Sequence, residues 1–326
     1  MAGRTYNMTH VMHVLNPGIL TLIQDAGRFG QHGIGLTTGG PMDPLAFKWA
    51  NRLVGNDENT ALLENTIGGL KLKSTCQTQI AVTGATVTIK VNGISQPQWQ
   101  TININAHDEI ELGYASEGCR IYLAVSGGFN INKQFNSVST VVREGIGGLN
   151  GKGLQANDKL PLVSDSRVTR CYVLPLSARP VYANKVTLRL IPGYQQAHFS
   201  RHQQRMFFYH EFTVSDLCDR MGYRLSGPKV TCDIEGILSE GICLGAVQIP
   251  KDGQPIVLMN DRQTIGGYPK IGSVLSLDLA KLAQLTAGGR VTFEPITIDH
   301  AHNELALAHY KYSRQTLVSV ATEDAP

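Results

Sequence analysis

Short segments in which apolar and polar residues alternate, broken repeatedly by glycine, recur along this 326-residue chain with its 34 glycines. Alternation with a period of two puts every second side chain on one face of an extended backbone, so these segments read as half-buried strands and the chain as mainly β. Val87, Ile89 and Val91 alternate with Thr86, Thr88 and Lys90, and Asn92-Gly93 follows with two residues tolerant of positive φ. That pair predicts a tight hairpin. Ile102 and Ile104, then Ile110 and Leu112, then Ile121, Leu123 and Val125 continue the pattern as neighbouring antiparallel strands. Residues 44–54 interrupt it: Leu45, Trp49 and Leu53 recur every fourth position and share one helical face. Asp43 suits the N-cap of that helix, Pro44 its first turn and Gly55 its exit. Asp43 therefore has two readings, a cap and a site residue.

The length favours two domains. Periodicity fades over residues 164–184 and resumes with Val186, Leu188 and Leu190, which places an N-terminal β-rich domain at 8–170 and a second at 185–298. Further strands are expected at 212–214, 247–249, 256–258 and 291–293, a short helix at 279–285, and a polar, mobile tail over 299–326. Residues 1–7 read as an appendage. Apolar residues at 42% against 17% charged describe a globular protein. A net charge of +3 with no run of Lys or Arg argues against nucleic acid as a partner. No apolar stretch reaches the ~20 residues that span a bilayer, so no membrane is expected and the cytoplasm is the default location. The six cysteines include no C-x-x-C pair, which points to reduced thiols rather than a zinc or disulfide framework.

Several common signatures fail. The glycine-rich run from Gly145 to Gly153 lacks the spacing of a phosphate loop, and Gly30, Gly33 and Gly35 carry the wrong order for a dinucleotide fingerprint. No G-x-S-x-G elbow and no H-E-x-x-H pair occurs, and the ten histidines are scattered. Polar groups are instead concentrated in short stretches at strand exits. Asp219-Arg220-Met221-Gly222-Tyr223-Arg224 offers guanidinium forks for a carboxylate, phosphate or bicarbonate, with a surface salt-bridge cluster as the plainer reading. Ser239-Glu240-Gly241 sets a carboxylate in an apolar run. The densest stretch runs from Asn260 through Asp261, Arg262 and Gln263 to Tyr268 and Lys270, where Lys270 suits oxyanion stabilisation and Asp261 proton transfer. Gln24-Asp25-Ala26-Gly27-Arg28, Gly39-Gly40-Pro41-Met42-Asp43 and Arg143-Glu144-Gly145 are secondary candidates through Asp25, Asp43 and Arg143.

The order of these motifs, continued by Asp261-Arg262-Gln263-Thr264-Ile265-Gly266-Gly267-Tyr268-Pro269, resembles the biotin-dependent carboxyltransferase (allophanate hydrolase subunit 2) family over nearly the whole chain. That family includes C-type subunits of 5-oxoprolinase and KipA-like proteins. Cys218 and Ile265 depart from its usual Ser and Thr without removing a charge. The resemblance implies a cyclophilin-like β-barrel at least in the C-terminal half. It also implies work with A- and B-type subunits in the ATP-dependent opening of 5-oxoproline, a small-molecule substrate, to glutamate. In that reading Lys270, Asp261 and Glu240 would be catalytic. Arg220, Tyr223, Arg224, Arg262, Gln263, Tyr268, Arg143, Asp43 and Asp25 would hold substrate, and no metal would be bound by this chain. ATP with Mg would bind at a partner or an interface. Two alternatives are a urea carboxylase-like carboxyltransferase, with biotin on a separate carrier, and a KipA-like binding protein that antagonises a kinase inhibitor.

Overall fold

The structure, a computed structural model, describes residues 10–163, 170–234 and 236–320; the appendage at 1–7 and residues 164–169 of the expected boundary lie outside them. The protein is mainly β and divides into two compact units. The first comprises described residues up to Arg28, those of Pro44–Val181 and those from Thr316, and the second comprises Phe29–Asp43 and Tyr182–Gln315.

In the first unit a six-stranded and a five-stranded sheet contribute to one apolar core. Met12, Leu72 and Ile110 enter it from one sheet, and Leu63, Val82 and Ile121 from the other. The alternating segments form these strands for the expected reason, and Asn92 and Gly93, both at positive φ, close the hairpin between Ile89–Val91 and Ile94–Gln96. The strand Thr78–Thr86, between Glu117–Val125 and Thr101–Ile104 in the five-stranded sheet, is buried along almost its whole length despite its threonines and glutamine. Its other face is covered by the helix Pro44–Leu53, whose Ala46 carbonyl accepts a hydrogen bond from Thr83 Oγ1 at 2.7 Å, while Thr101 Oγ1 donates to Leu53 O at 2.6 Å. The helix buries Ala46, Trp49, Ala50 and Leu53. Leu45, assigned to the buried face by its spacing, is exposed instead, because the small residues Ala46 and Ala50 form the side that can approach the sheet.

The second unit is built on a closed seven-stranded barrel. Its strands run, in spatial order, Lys185–Pro192, Lys270–Val274, Ala246–Gln248, Ile256–Leu258, Gly222–Ser226, Phe212–Cys218 and Arg290–Pro295. The last returns to the first as a parallel pair. Leu188, Leu225, Val247, Val257 and Ile271 belong to the barrel core, so their strand neighbours Gln248, Leu258 and Lys270 face outward. The helix Arg201–Tyr209, unpredicted because its first half is polar, is capped by Ser200 and stacks Phe207 on Phe293 with ring centroids 4.4 Å apart.

In the stretch expected as a mobile tail, the described residues beyond 299 are instead mostly helical. Ile298–Arg314 is a helix of 17 residues capped by the Thr297 side chain, and Val318–Val320 pairs with Cys171–Val173 in the first unit. The helix is tied down by charge. Arg189 Nη1 donates to Glu304 Oε2 at 2.9 Å, while its Nε and Nη2 grip the fully buried Asp278 at 2.8 Å, which Lys281 also reaches at 2.7 Å. Burial alone would raise the Asp278 carboxyl, but Arg189 and then Lys281 outweigh it and hold it below the ordinary carboxylate value. A depressed folded-state pKa contributes stability above the unfolded pKa near ~4, and that stability is lost as pH falls through the lower folded value. Replacing Asp278 by Ala is therefore expected to cost about 3–5 kcal/mol by urea denaturation at pH 7, and the difference from wild type should shrink as the pH is taken below about 4.

Candidate functional site

Two of the polar stretches serve to hold the fold together. Asp219 Oδ1 accepts from the backbone N–H groups of Met221 and Gly222, closing a turn that points Arg220 inward. Arg220 then grips Asp261 with two hydrogen bonds of 2.9 Å and reaches Gly40 O at 2.7 Å. Asn260 Nδ2 donates to Gly39 O and Pro41 O at 3.2 and 3.0 Å. Together they clasp the Gly39-Gly40-Pro41 loop. Asp261, expected as a proton-transfer residue, and Arg220, expected on substrate, are buried and engaged with each other. Tyr223 and Arg224 were also expected on substrate. Tyr223 lies in the barrel core with its hydroxyl donating to Ala283 O at 3.1 Å, and Arg224 makes a surface ion pair with Asp252 at 2.8 Å.

Asp43 is buried and accepts from Tyr182 Oη and Gln284 Nε2 through one carboxylate oxygen, at 2.8 and 3.0 Å. Burial first, and then the Asp43 charge, push the Tyr182 phenol far above its ordinary value, so it remains a donor. In the first unit Asp25 accepts from Ser137 Oγ, Ser139 Oγ and the N–H groups of Val138 and Gly27, all within 3.0 Å, which pins the 137–139 segment. Arg143 is exposed and pairs with the adjacent Glu144 at 3.2 Å. Neither belongs to the unit that carries the remaining candidates.

Those remaining candidates converge on the outer wall of the barrel. Lys270 opens its strand with the side chain outward, where Nζ forms a close ion pair with Glu240 Oε1. Glu240 is held over the wall by a small flap, a two-residue antiparallel ladder of Glu240–Gly241 with Ile265–Gly266. Gln195 joins the pair: its Nε2 donates to Glu240 Oε1 at 3.0 Å, and its Oε1 accepts from the Lys270 backbone N–H at 2.7 Å. The Lys270 ammonium foremost, and then the Tyr194 hydroxyl, keep the Glu240 carboxyl below its usual value, so it is ionised at neutral pH. Glu240 in turn raises the Tyr194 phenol. Tyr194, Leu238, Ile265 and Tyr268 are exposed residues on the segments that carry this pair.

Arg262 enters beneath the same flap. It is 6% exposed, and its guanidinium donates to the carbonyls of Ile242 at 3.2 Å and Met259 at 3.4 Å. Burial lowers its pKa, with the Cys243 sulfur opposing. No ion pair with a carboxylate is found for it among the described residues, so its charge is answered by carbonyl dipoles and favours an incoming anion. Gln263 lies beside Gly266, where a methyl group added to the glycine would sit 3.5 Å from its Nε2. Sequence reasoning missed Gln195 and Tyr194, which follow the strand exit at Pro192-Gly193 much as residues 260–270 follow theirs.

Among the described residues no group of three His, Cys, Asp or Glu is placed to hold a metal. The Gly145–Gly153 run is folded onto its own chain: a methyl at Gly147 would lie 1.9 Å from Ser139 O, and one at Gly151 would lie 2.1 Å from Gly145 O. The two ion pairs should respond differently to mutation. Asp261→Ala leaves a buried guanidinium uncompensated and is expected to lower stability by about 3–5 kcal/mol, whereas Glu240→Gln, at a half-buried pair, should change it by less than about 1 kcal/mol. Urea denaturation of the two variants checks the difference.

Residues 34–295 match the family model described as carboxyltransferase domain, subdomain A and B. The chain is 36% identical over 282 residues to the C-type subunit of 5-oxoprolinase from Haemophilus influenzae, covering 86% of this chain and 89% of that protein. It is 35% identical over 297 residues to the corresponding 5-oxoprolinase protein of Escherichia coli, covering 89% and 93%. The crystal structure of Kluyveromyces lactis urea carboxylase superposes with a TM-score of 0.87 at 28% identity, over 98% of this chain but 30% of that much longer one. The resemblance carried by the ordered motifs thus extends to whole-chain identity and to the fold, and this chain belongs to the carboxyltransferase domain family, subdomains A and B.

Proposed function

We propose that this chain is the C-type subunit of an ATP-dependent 5-oxoprolinase and contributes, with A- and B-type subunits, to the opening of 5-oxo-L-proline to L-glutamate. One observation carries the reading: the relatives named as C-type subunits of 5-oxoprolinase match it almost end to end at 35–36% identity. In the reaction the lactam carbon–nitrogen bond breaks while water supplies hydroxyl to the carbon and a proton to the nitrogen. ATP, when bound, would supply activation of the lactam oxygen by phosphorylation with release of ADP, and the phosphoryl group would leave to a second water as inorganic phosphate. We assign its binding, with Mg, to a partner or an interface, since the glycine run of this chain lacks the spacing of a phosphate loop.

Within the chain, Lys270 is the cation suited to charge that develops on the former carbonyl oxygen. Glu240, ionised and hydrogen-bonded by Gln195, is suited to accept a proton from the attacking water. Arg262 is suited to the substrate carboxylate, and Tyr268 and Gln263 to its orientation. Among the described residues no helix is long and apolar enough to cross a membrane, and a cytoplasmic assembly is part of the proposal. The overlay on urea carboxylase supports a second reading, carboxyl transfer from a biotin held on a separate carrier, at the same Lys270–Glu240 pair.

Co-expression with the neighbouring A- and B-type subunits and assay of ATP-dependent glutamate formation separate the two. The expected result is activity that requires this chain and falls at least about 100-fold in Lys270→Ala with the complex intact, the size typical of losing one oxyanion-stabilising group. An assembled complex inactive on 5-oxoproline but active in transfer from carboxybiotin would establish the second reading instead.

A further inference from the structure

The outer wall of the barrel holds a polar side chain that the fold does not answer. Gln248 is 1% exposed, and its Nε2 has no acceptor among the described residues. Its neighbours Val247 and Ile249 are in the barrel core, so the carboxamide projects outward onto the face that carries Lys270. The two residues are register partners across their strands, just after a register shift that follows Val247. The flap lies over the amide. A methyl at Gly266 would approach Gln248 Nε2 to 3.0 Å and Gln263 Nε2 to 3.5 Å, so two carboxamide nitrogens converge beneath Gly266.

Leaving a buried amide unanswered is destabilising, and an apolar side chain of similar shape at this position would avoid that cost. A carboxamide presents a donor and an acceptor along one edge. That edge pairs in plane with a cyclic amide, whose ring forces N–H and C=O to the same side, whereas an extended trans amide turns them to opposite sides.

We propose that Gln248 is a specificity residue that reads the cis N–H/C=O edge of a ring, with Nε2 donating to the ring carbonyl and Oε1 accepting from the ring N–H. Lys270 addresses the same carbonyl oxygen from the adjacent strand. Entry displaces the flap, a ladder of two residue pairs flanked by the backbone hydrogen bonds from Ile237 N–H to Gly267 O and from Ile242 N–H to Thr264 O. A lactam and a cyclic ureido group share this edge; the choice of the 5-oxoproline lactam rests on the function proposed above.

The test uses the complex of this chain with its partner subunits and the variant Gln248→Met. The expected result is a KM for 5-oxo-L-proline raised about 10-fold with a much smaller change in kcat. The γ-lactone analogue, which has ring oxygen in place of N–H, should inhibit wild type more weakly than the lactam binds, and the variant should lose that preference. Its thermal midpoint should equal or exceed that of wild type. An unchanged KM would show that the substrate does not use the amide, and a midpoint lowered by several degrees would show that the protein itself does; either overturns the proposal. If the wild-type complex does not turn over 5-oxoproline, the lactam reading fails separately, and the side-chain amide signal of Gln248 is followed by NMR during titration with 2-imidazolidinone. A shift of that signal sustains recognition of a ureido ring, and no shift with either ring overturns it.

Discussion

Closure of the barrel by the parallel pairing of Lys185–Pro192 with Arg290–Pro295 is the constraint on which the rest of the second unit depends. Six matched positions join strands about a hundred residues apart in the chain. Once they pair, no strand of the barrel remains an open edge, and each residue of each strand is committed to one of two sides. Val257 and Ile271 then fill the inside, and Lys270 and Gln248 stand on the outside. A site built on such a wall inherits its rigidity, because moving Lys270 would require shifting a strand hydrogen-bonded on both sides.

Two ion pairs of similar chemistry have different tasks because their surroundings differ. Arg220 and Asp261 satisfy each other in fork geometry, are shut away from water, and use their spare donor on the Gly40 carbonyl. Lys270 and Glu240 meet beside a thin flap, and Glu240 keeps contact with solvent. A buried, saturated pair is a structural tie that has no capacity left for a ligand, whereas a partly wetted pair can exchange its partner for one. Asp25, saturated by four donors, belongs with the ties, whereas the Arg262 guanidinium donates to carbonyls and has no carboxylate partner among the described residues.

Much of the fold could be read from the chain because alternation and turn chemistry are local. The Asn92-Gly93 hairpin, the strands at 102–125 and the helix after Asp43 all follow from residues a few positions apart. What was illegible depended on distant partners. The helix Ile298–Arg314 looked like solvent-facing tail because the groups that fix it, Arg189 and Asp278, are far away in sequence. The site was half legible for the same reason. Composition marked the stretch from Asn260 to Lys270 as dense in polar groups, but composition does not reveal that Asp261 is claimed by Arg220 while Lys270 is left for Glu240. Gln248 carried a usable signal, an isolated amide between Val247 and Ile249.

The passage of Phe29–Asp43 into the second unit, with the chain returning to the first unit from Thr316, makes the two units interlaced rather than consecutive. As the polypeptide leaves the ribosome, residues 39–43 emerge some 140 positions ahead of Tyr182, and further still ahead of Arg220, Asn260 and Gln284, the groups that hold them. The strand Val318–Val320 pairs with Cys171–Val173, which emerge about 150 positions before it. Neither unit can therefore be cut out as one uninterrupted stretch, and gene fusions or split forms of this chain have to respect both crossings.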